Sequence, residues 1–232
     1  MRIFRISFPA ALTAALALAA LSCAAAPMAV PVGDTRIALD APPGFSDTTS
    51  MASPRLQDLA EALTAASNRI LLFALSDDDV RRFTQGDTPT LRRYMVVVTP
   101  KGLEQQRVTP ELFGTFVADS VRELGPAAPE GVEYHKYLES RSESAPVLLA
   151  ELRREPQTVS ILQGARLPPP PHGLFEREKP PTYVLSTTTL LLVRGKALNL
   201  GVYTAYDSAA DLDWIRVNTA RWVDELQRLN NR

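Results

Sequence analysis

The sequence predicts an α+β protein: an antiparallel sheet sandwiched between helices, ending in a β-hairpin and a C-terminal amphipathic helix. Three observations carry this expectation. Residues 182–193 and 197–206 are two runs rich in Thr, Val, Leu and Tyr, joined by Arg194-Gly195-Lys196. Such runs suit a half-buried pleated surface, and Gly195 is free to take the positive φ of a tight turn. Next, Leu212, Ile215, Trp222, Val223, Leu226 and Leu229 recur at helical spacing along 208–229, with Trp214 at the margin of the stripe. Finally, Leu190, Leu191 and Leu192 place apolar side chains on both faces of the first run, as in a strand covered on two sides.

The details of this C-terminal block agree with one another. On the return strand Leu198, Leu200 and Val202 point one way, while Asn199, Gly201 and Tyr203 point the other. Gly201 and Ala205 leave space on the second face, where the close approach of a helix backbone is expected. Ser208-Ala209-Ala210-Asp211 has the spacing of a capping box. Asp211 and Asp213 in the first turn also suit the positive end of the helix dipole.

Taken in order, the chain begins with Arg2 and Arg5, an apolar stretch over 8–21 and the small residues Ala24, Ala25 and Ala26. This three-part pattern predicts a signal peptide over 1–26, hence an exported, periplasmic protein with a single domain over 27–232. The apolar stretch is short for a span, which needs about 20 such residues. Ala20-Leu21-Ser22-Cys23 resembles a lipoprotein box, although Ala20 and Leu21 stand where Leu and a small residue belong. Plain cleavage after the alanines is the expected processing, and lipidation of Cys23 is the alternative. Cys23 is the only cysteine, so no disulfide is expected.

Further along, Ile37 and Leu39 alternate with polar neighbours in a short strand over 32–39, and Pro42-Pro43-Gly44-Phe45 turns the chain. Ser53-Pro54 opens a helix with Leu56, Leu59, Ala60 and Leu63 on one side. Residues 69–75 form a continuous apolar run, predicted as a central strand. Ser76-Asp77-Asp78-Asp79 has the look of a cation site. It lacks the alternating ligands and distal Glu of a calcium loop, so a capped short helix ending at Gly86 is the better reading. A strand is expected over 91–100, centred on Met95, Val96, Val97 and Val98. Thr109-Pro110-Glu111 then starts a helix with Leu112, Phe113, Phe116, Val117, Val121 and Leu124 on its buried face. Residues 126–155 are ambiguous, with a lean toward helix around Tyr134 and Leu138. A strand follows over 157–167, then a stiff loop over 168–181 bracketed by prolines and holding His172.

The formal net charge is −1, and removal of Arg2 and Arg5 leaves the chain more acidic. That argues against nucleic acid as a partner, which wants a basic face. A membrane is expected as a partner only if Cys23 is lipidated. The two histidines, His135 and His172, do not fall in a metal-ligand spacing. Glu133, His135 and Glu139 fit a solvated helix face better than a zinc site. The sequence contains no Gly-x-Ser-x-Gly elbow, phosphate loop or dinucleotide fingerprint. No catalytic, cofactor or metal residues are therefore assigned, although acids distant in sequence can still meet in space.

The block 193–226, with its strand-turn-strand around Arg194-Gly195-Lys196, then Tyr203, Tyr206 and Asp211-Leu212-Asp213-Trp214, resembles the PsbP-like fold, as does Ala41-Pro42-Pro43-Gly44-Phe45 near the start. DcrB-like envelope proteins share that architecture. The resemblance implies an antiparallel sheet between helices and carries no ligand set to this chain. Together with the leader it implies a non-catalytic accessory or binding module of the cell envelope, with a protein partner or a small ligand. A periplasmic hydrolase using dispersed carboxylates is the alternative, distinguished by a pocket with two convergent acids.

Overall fold

The computed structural model describes residues 27–141, 145–167 and 182–231. The expected leader with Cys23 and the proline-bracketed loop with His172 lie outside the described residues.

Among the described residues, nine strands and five α-helices are arranged as β1 (Met28–Val32), β2 (Thr35–Leu39), β3 (Phe45–Asp47), α1 (Pro54–Ala62), β4 (Asn68–Ser76), α2 (Asp77–Thr84), β5 (Arg93–Pro100), α3 (Pro110–Glu123), α4 (Tyr134–Glu139), β6 (Val147–Glu155), β7 (Thr158–Leu167), β8 (Thr182–Val193), β9 (Lys196–Ala205) and α5 (Ala209–Asn230). Seven strands form one antiparallel sheet in the order β3-β4-β5-β9-β8-β7-β6, and β1 and β2 pair as a separate hairpin. The expected strand over 32–39 is thus the second arm of a hairpin. Its turn uses Gly33 at φ 57°, where a side chain would meet the Glu104 carbonyl.

The β8–β9 hairpin turns in two residues. Arg194 and Gly195 both take positive φ, 49° and 76°, as the primed hairpin turn demands. Lys196, expected in the turn, instead opens β9 and pairs with Val193. Side chains then alternate as the sequence indicates. Leu185, Leu191, Leu198, Leu200 and Val202 join Ile215, Trp222, Val223 and Leu226 of α5 in the main core, which also takes in the β1–β2 hairpin. Burying Ile215, Val223 and Leu226 contributes roughly 1.5–3 kcal/mol each. α4 packs on the same face, where Gly164 leaves room for Leu138; a side chain at 164 would come within 2.8 Å of that leucine.

The opposite face carries two smaller cores. Phe113 and Val117 of α3 cover Val159, Ile161, Leu190 and Leu192. Leu56 and Ala60 of α1, with Val80 and Phe83 of α2, cover Phe73, Leu75, Val96 and Val98. The sheet is therefore enclosed by helices on both sides, and the leucine run of β8 serves both.

Three expectations need correction. Residues 69–75 do form a strand, but it lies next to the three-residue β3, which pairs only with Ala74, Leu75 and Ser76. Helices on one face and the hairpin on the other bury it, giving the run its central-strand appearance. Leu112 is 44% exposed because the α3 stripe that meets the sheet centres on Phe113 and Val117. The second face of β9 receives no helix backbone at Gly201. The Tyr203 ring folds over that glycine, and a Cβ there would lie 2.7 Å from its Cε2.

Candidate functional site

Two concave places stand out among the described residues. The larger is a cleft of about 870 Å³ between α1 and the start of β4. Gln57 and Thr64 of α1 and its following turn, Thr49 and Ser53 of the preceding loop, and Ile70 and Phe73 of β4 are among the residues lining it. Because β3 is so short, the first half of β4 has no strand neighbour on this side. The cleft mixes hydroxyl and amide groups with an apolar floor. Its one carboxylate, Glu61, accepts from Gln57 Nε2 at 2.9 Å. Its two cations are engaged as well: Arg69 pairs with Glu104, and Lys101 Nζ donates to the Ala66 carbonyl at 2.8 Å.

The smaller pocket, about 570 Å³, lies between the start of α4 and the first turns of α5. It brings together Glu133, Tyr134, His135, Tyr206, Asp207 and Arg216. The chain reaches it by local rules. Glu133 is the N-cap of α4, its carboxylate accepting the backbone N–H groups of His135 and Lys136 at 3.0 and 3.3 Å. That cap turns His135 inward, onto Tyr183 at 4.5 Å between ring centroids and Tyr206 at 5.7 Å. Tyr206 is held at the end of β9 by its backbone bond to the Tyr183 carbonyl, 2.8 Å. Burial raises the Tyr206 pKa above the ordinary phenol value and the Glu133 charge adds to this, while the His135 amide works the other way. Asp207 accepts from Arg92 at 2.6 Å.

The expected solvated face of Glu133, His135 and Glu139 is thus only part of the picture. Glu133 and Glu139 are exposed, but His135 is half-buried against aromatic rings. Nothing in the spacing of 133, 206 and 216 announces their meeting, because it depends on how α4 and α5 land on one sheet.

The acidic run after Ser76 serves α2. Ser76 Oγ accepts the Asp79 N–H at 3.2 Å, and the buried Asp79 carboxylate accepts from Thr90 N–H, Thr90 Oγ1 and Leu91 N–H at 2.7, 2.8 and 3.1 Å. Asp77 takes the Ser46 hydroxyl at 2.8 Å and Asp78 pairs with Arg81 at 3.0 Å, so the three carboxylates diverge. Among the described residues no group of three or more His, Cys, Asp or Glu could hold a metal ion.

Lys196, only 2% exposed, is a further buried ionisable group. Its Nζ donates to Asp34 at 3.0 Å and to the carbonyls of Glu104 and Gln106 at 3.1 Å each, which uses all three protons. The Lys196 bond lowers the pKa of the exposed Asp34. This ammonium ties the β1–β2 turn to the loop after β5 and to the β8–β9 hairpin.

The fold defines an α+β protein: a seven-stranded antiparallel sheet with helices on both faces and these two concavities at its surface. Compared with protein-family models, curated proteins and solved structures, the chain matches none.

Proposed function

We propose that the protein is an exported, non-catalytic accessory module of the cell envelope that binds a protein partner or a small ligand. The cleft beside α1 carries this reading. Its volume of about 870 Å³ falls within the roughly 300–1,000 Å³ of small-ligand sites. Arg69 and Lys101 are held by Glu104 and the Ala66 carbonyl and Glu61 by Gln57, so the cleft offers shape and hydrogen-bonding groups. The leader-like pattern over 1–26 supports export. A sheet between helices is the architecture that the PsbP-like resemblance implies, and kinship with that fold is part of the proposal.

The test fills the cleft. Gln57 is exposed on α1 at its wall, so Gln57→Trp blocks it without touching the core. A thermal-shift screen of small polar ligands and peptides should give a saturable stabilisation that the variant loses. If no ligand stabilises the chain and no partner is recovered from envelope membranes, the reading fails.

A second reading has one observation in its favour: Glu133 and Asp207 line the same pocket, as a hydrolase using dispersed carboxylates requires. Each is already occupied, by the α4 amides and by Arg92. Hydrolysis of any ester or glycoside, lost in both Glu133→Gln and Asp207→Asn, would reverse the preference.

A further inference from the structure

The pocket between α4 and α5 contains a cation that the fold leaves unused. Arg216 is half-buried, its Nε is fully buried, and no described residue accepts a hydrogen bond from it or pairs with its charge. Its one contact of note is the Tyr134 ring, whose centroid lies 6.0 Å from its Cζ. Nearby arginines behave differently. Arg92 and Arg93 pair with Asp207 or Asp211, and Arg141, whose Nε is also orphaned, still donates to the Tyr137 hydroxyl at 3.1 Å. The buried Nε is closed to a ligand as it is to solvent, so what recommends Arg216 is that its terminal nitrogens donate to no described residue beside an open pocket.

We propose that Arg216 receives the carboxylate of a small planar aromatic monoanion, whose ring lies among Tyr134, His135 and Tyr206. This site is separate from the cleft beside α1. A guanidinium presents a planar fork that matches a carboxylate with two parallel hydrogen bonds. The other walls supply flat apolar surface from Tyr134, His135 and Tyr206, with Val132 and Leu212 beside them. Tyr206 keeps its proton at neutral pH, since burial holds its pKa up, and is available as a second donor.

The charge of the pocket sets the charge of the ligand. Arg92 offsets Asp207, but Glu133 stands on the same wall with only backbone amides as partners. Arg216 can therefore match one negative charge. A dianion such as phosphate would bring a second charge against Glu133 with no cation to meet it.

Isothermal titration of the full chain with benzoate, benzamide and inorganic phosphate tests this. Benzoate should saturate one site, with the neutral amide and phosphate each weaker by ~10-fold or more, the size of one lost charge-assisted contact. Arg216→Gln should lose benzoate by a similar factor, with Arg216→Lys between the two. Should the Gln variant not fold, amide chemical shifts in the unaltered chain decide, because benzoate must perturb His135 and Tyr206. Benzoate that does not saturate, binds no better than benzamide or phosphate, survives Arg216→Gln undiminished, or leaves His135 and Tyr206 unperturbed would overturn the proposal.

Discussion

The side-chain amide of Asn230 brackets the backbone of Ala38, accepting its N–H at 2.9 Å and donating to its carbonyl at 2.8 Å. The last residue of α5 thereby pairs with β2 as another strand would. Its Nδ2 also donates to the Leu226 carbonyl, which locks the rotamer. Trp222 Nε1 adds a bond to the Asp40 carbonyl at 2.8 Å, so the β1–β2 hairpin, outside the main sheet, hangs on α5. Asn230→Leu should cost about 2 kcal/mol, since it leaves both Ala38 groups without their partner. Hydrogen exchange should show residues 35–39 losing more protection than β8 or β9. Equal loss everywhere would show that the hairpin is not held in this way.

Asp211 makes α5 sensitive to acid. Its side chain is 4% exposed and lies 3.0 Å from Arg93 and 3.4 Å from Arg92. It also accepts the backbone N–H groups of Asp207 and Ser208 at 3.2 and 3.1 Å. Burial alone would raise its pKa; the Asp207 amide, Arg93, Ser208 and the Arg92 charge together overcome burial and lower it. A lowered folded-state pKa means that the contribution is complete above the ordinary carboxylate value of about 4 and is lost as pH falls through the folded value. Asp211→Asn should cost about 2 kcal/mol at neutral pH. It should also flatten the acid limb of a urea-stability profile, and an unchanged limb would assign acid sensitivity elsewhere.

Gly201 exists for the Tyr203 ring. A methyl group there would sit 2.7 Å from Tyr203 Cε2 and 3.0 Å from Val96 Cγ1, and the ring cannot slide freely because it stacks on Tyr94 at 4.5 Å, 5° from parallel. Gly201→Ala should cost about 1–3 kcal/mol through overpacking. In a Tyr203→Leu background the same change should cost less, because the clash is gone. Additive denaturant midpoints would exclude this account.

Thr187 of β8 and Thr219 of α5 share a buried hydroxyl pair at 2.7 Å. Thr187→Val alone should cost about 1–2 kcal/mol by orphaning the partner hydroxyl, whereas the double change to Val should be close to neutral. A double-mutant cycle on thermal or urea unfolding reads the coupling directly.

Much of this architecture is written in local patterns. The period of two through Leu198, Leu200 and Val202, the Ser208–Asp211 capping box and the Thr109-Pro110 helix start each rest on a few neighbouring residues. The structure realises all three. β6 escapes such reading because its pairing with β7 slips twice, between Leu148 and Ala150 and between Glu151 and Arg153. No alternation survives those irregularities.

By itself, then, the sequence determined the α+β class, the C-terminal hairpin and the helix that covers it, since backbone preference and hydrophobic period act over a few residues. Tertiary structure alone decided that Asn230 would seize Ala38, that Lys196 would be buried among carbonyls, and that Glu133, Tyr206 and Arg216 would face one pocket. Most of those meetings join residues many tens of positions apart, up to the 192 between Ala38 and Asn230, and such distances are set only once the sheet order is complete.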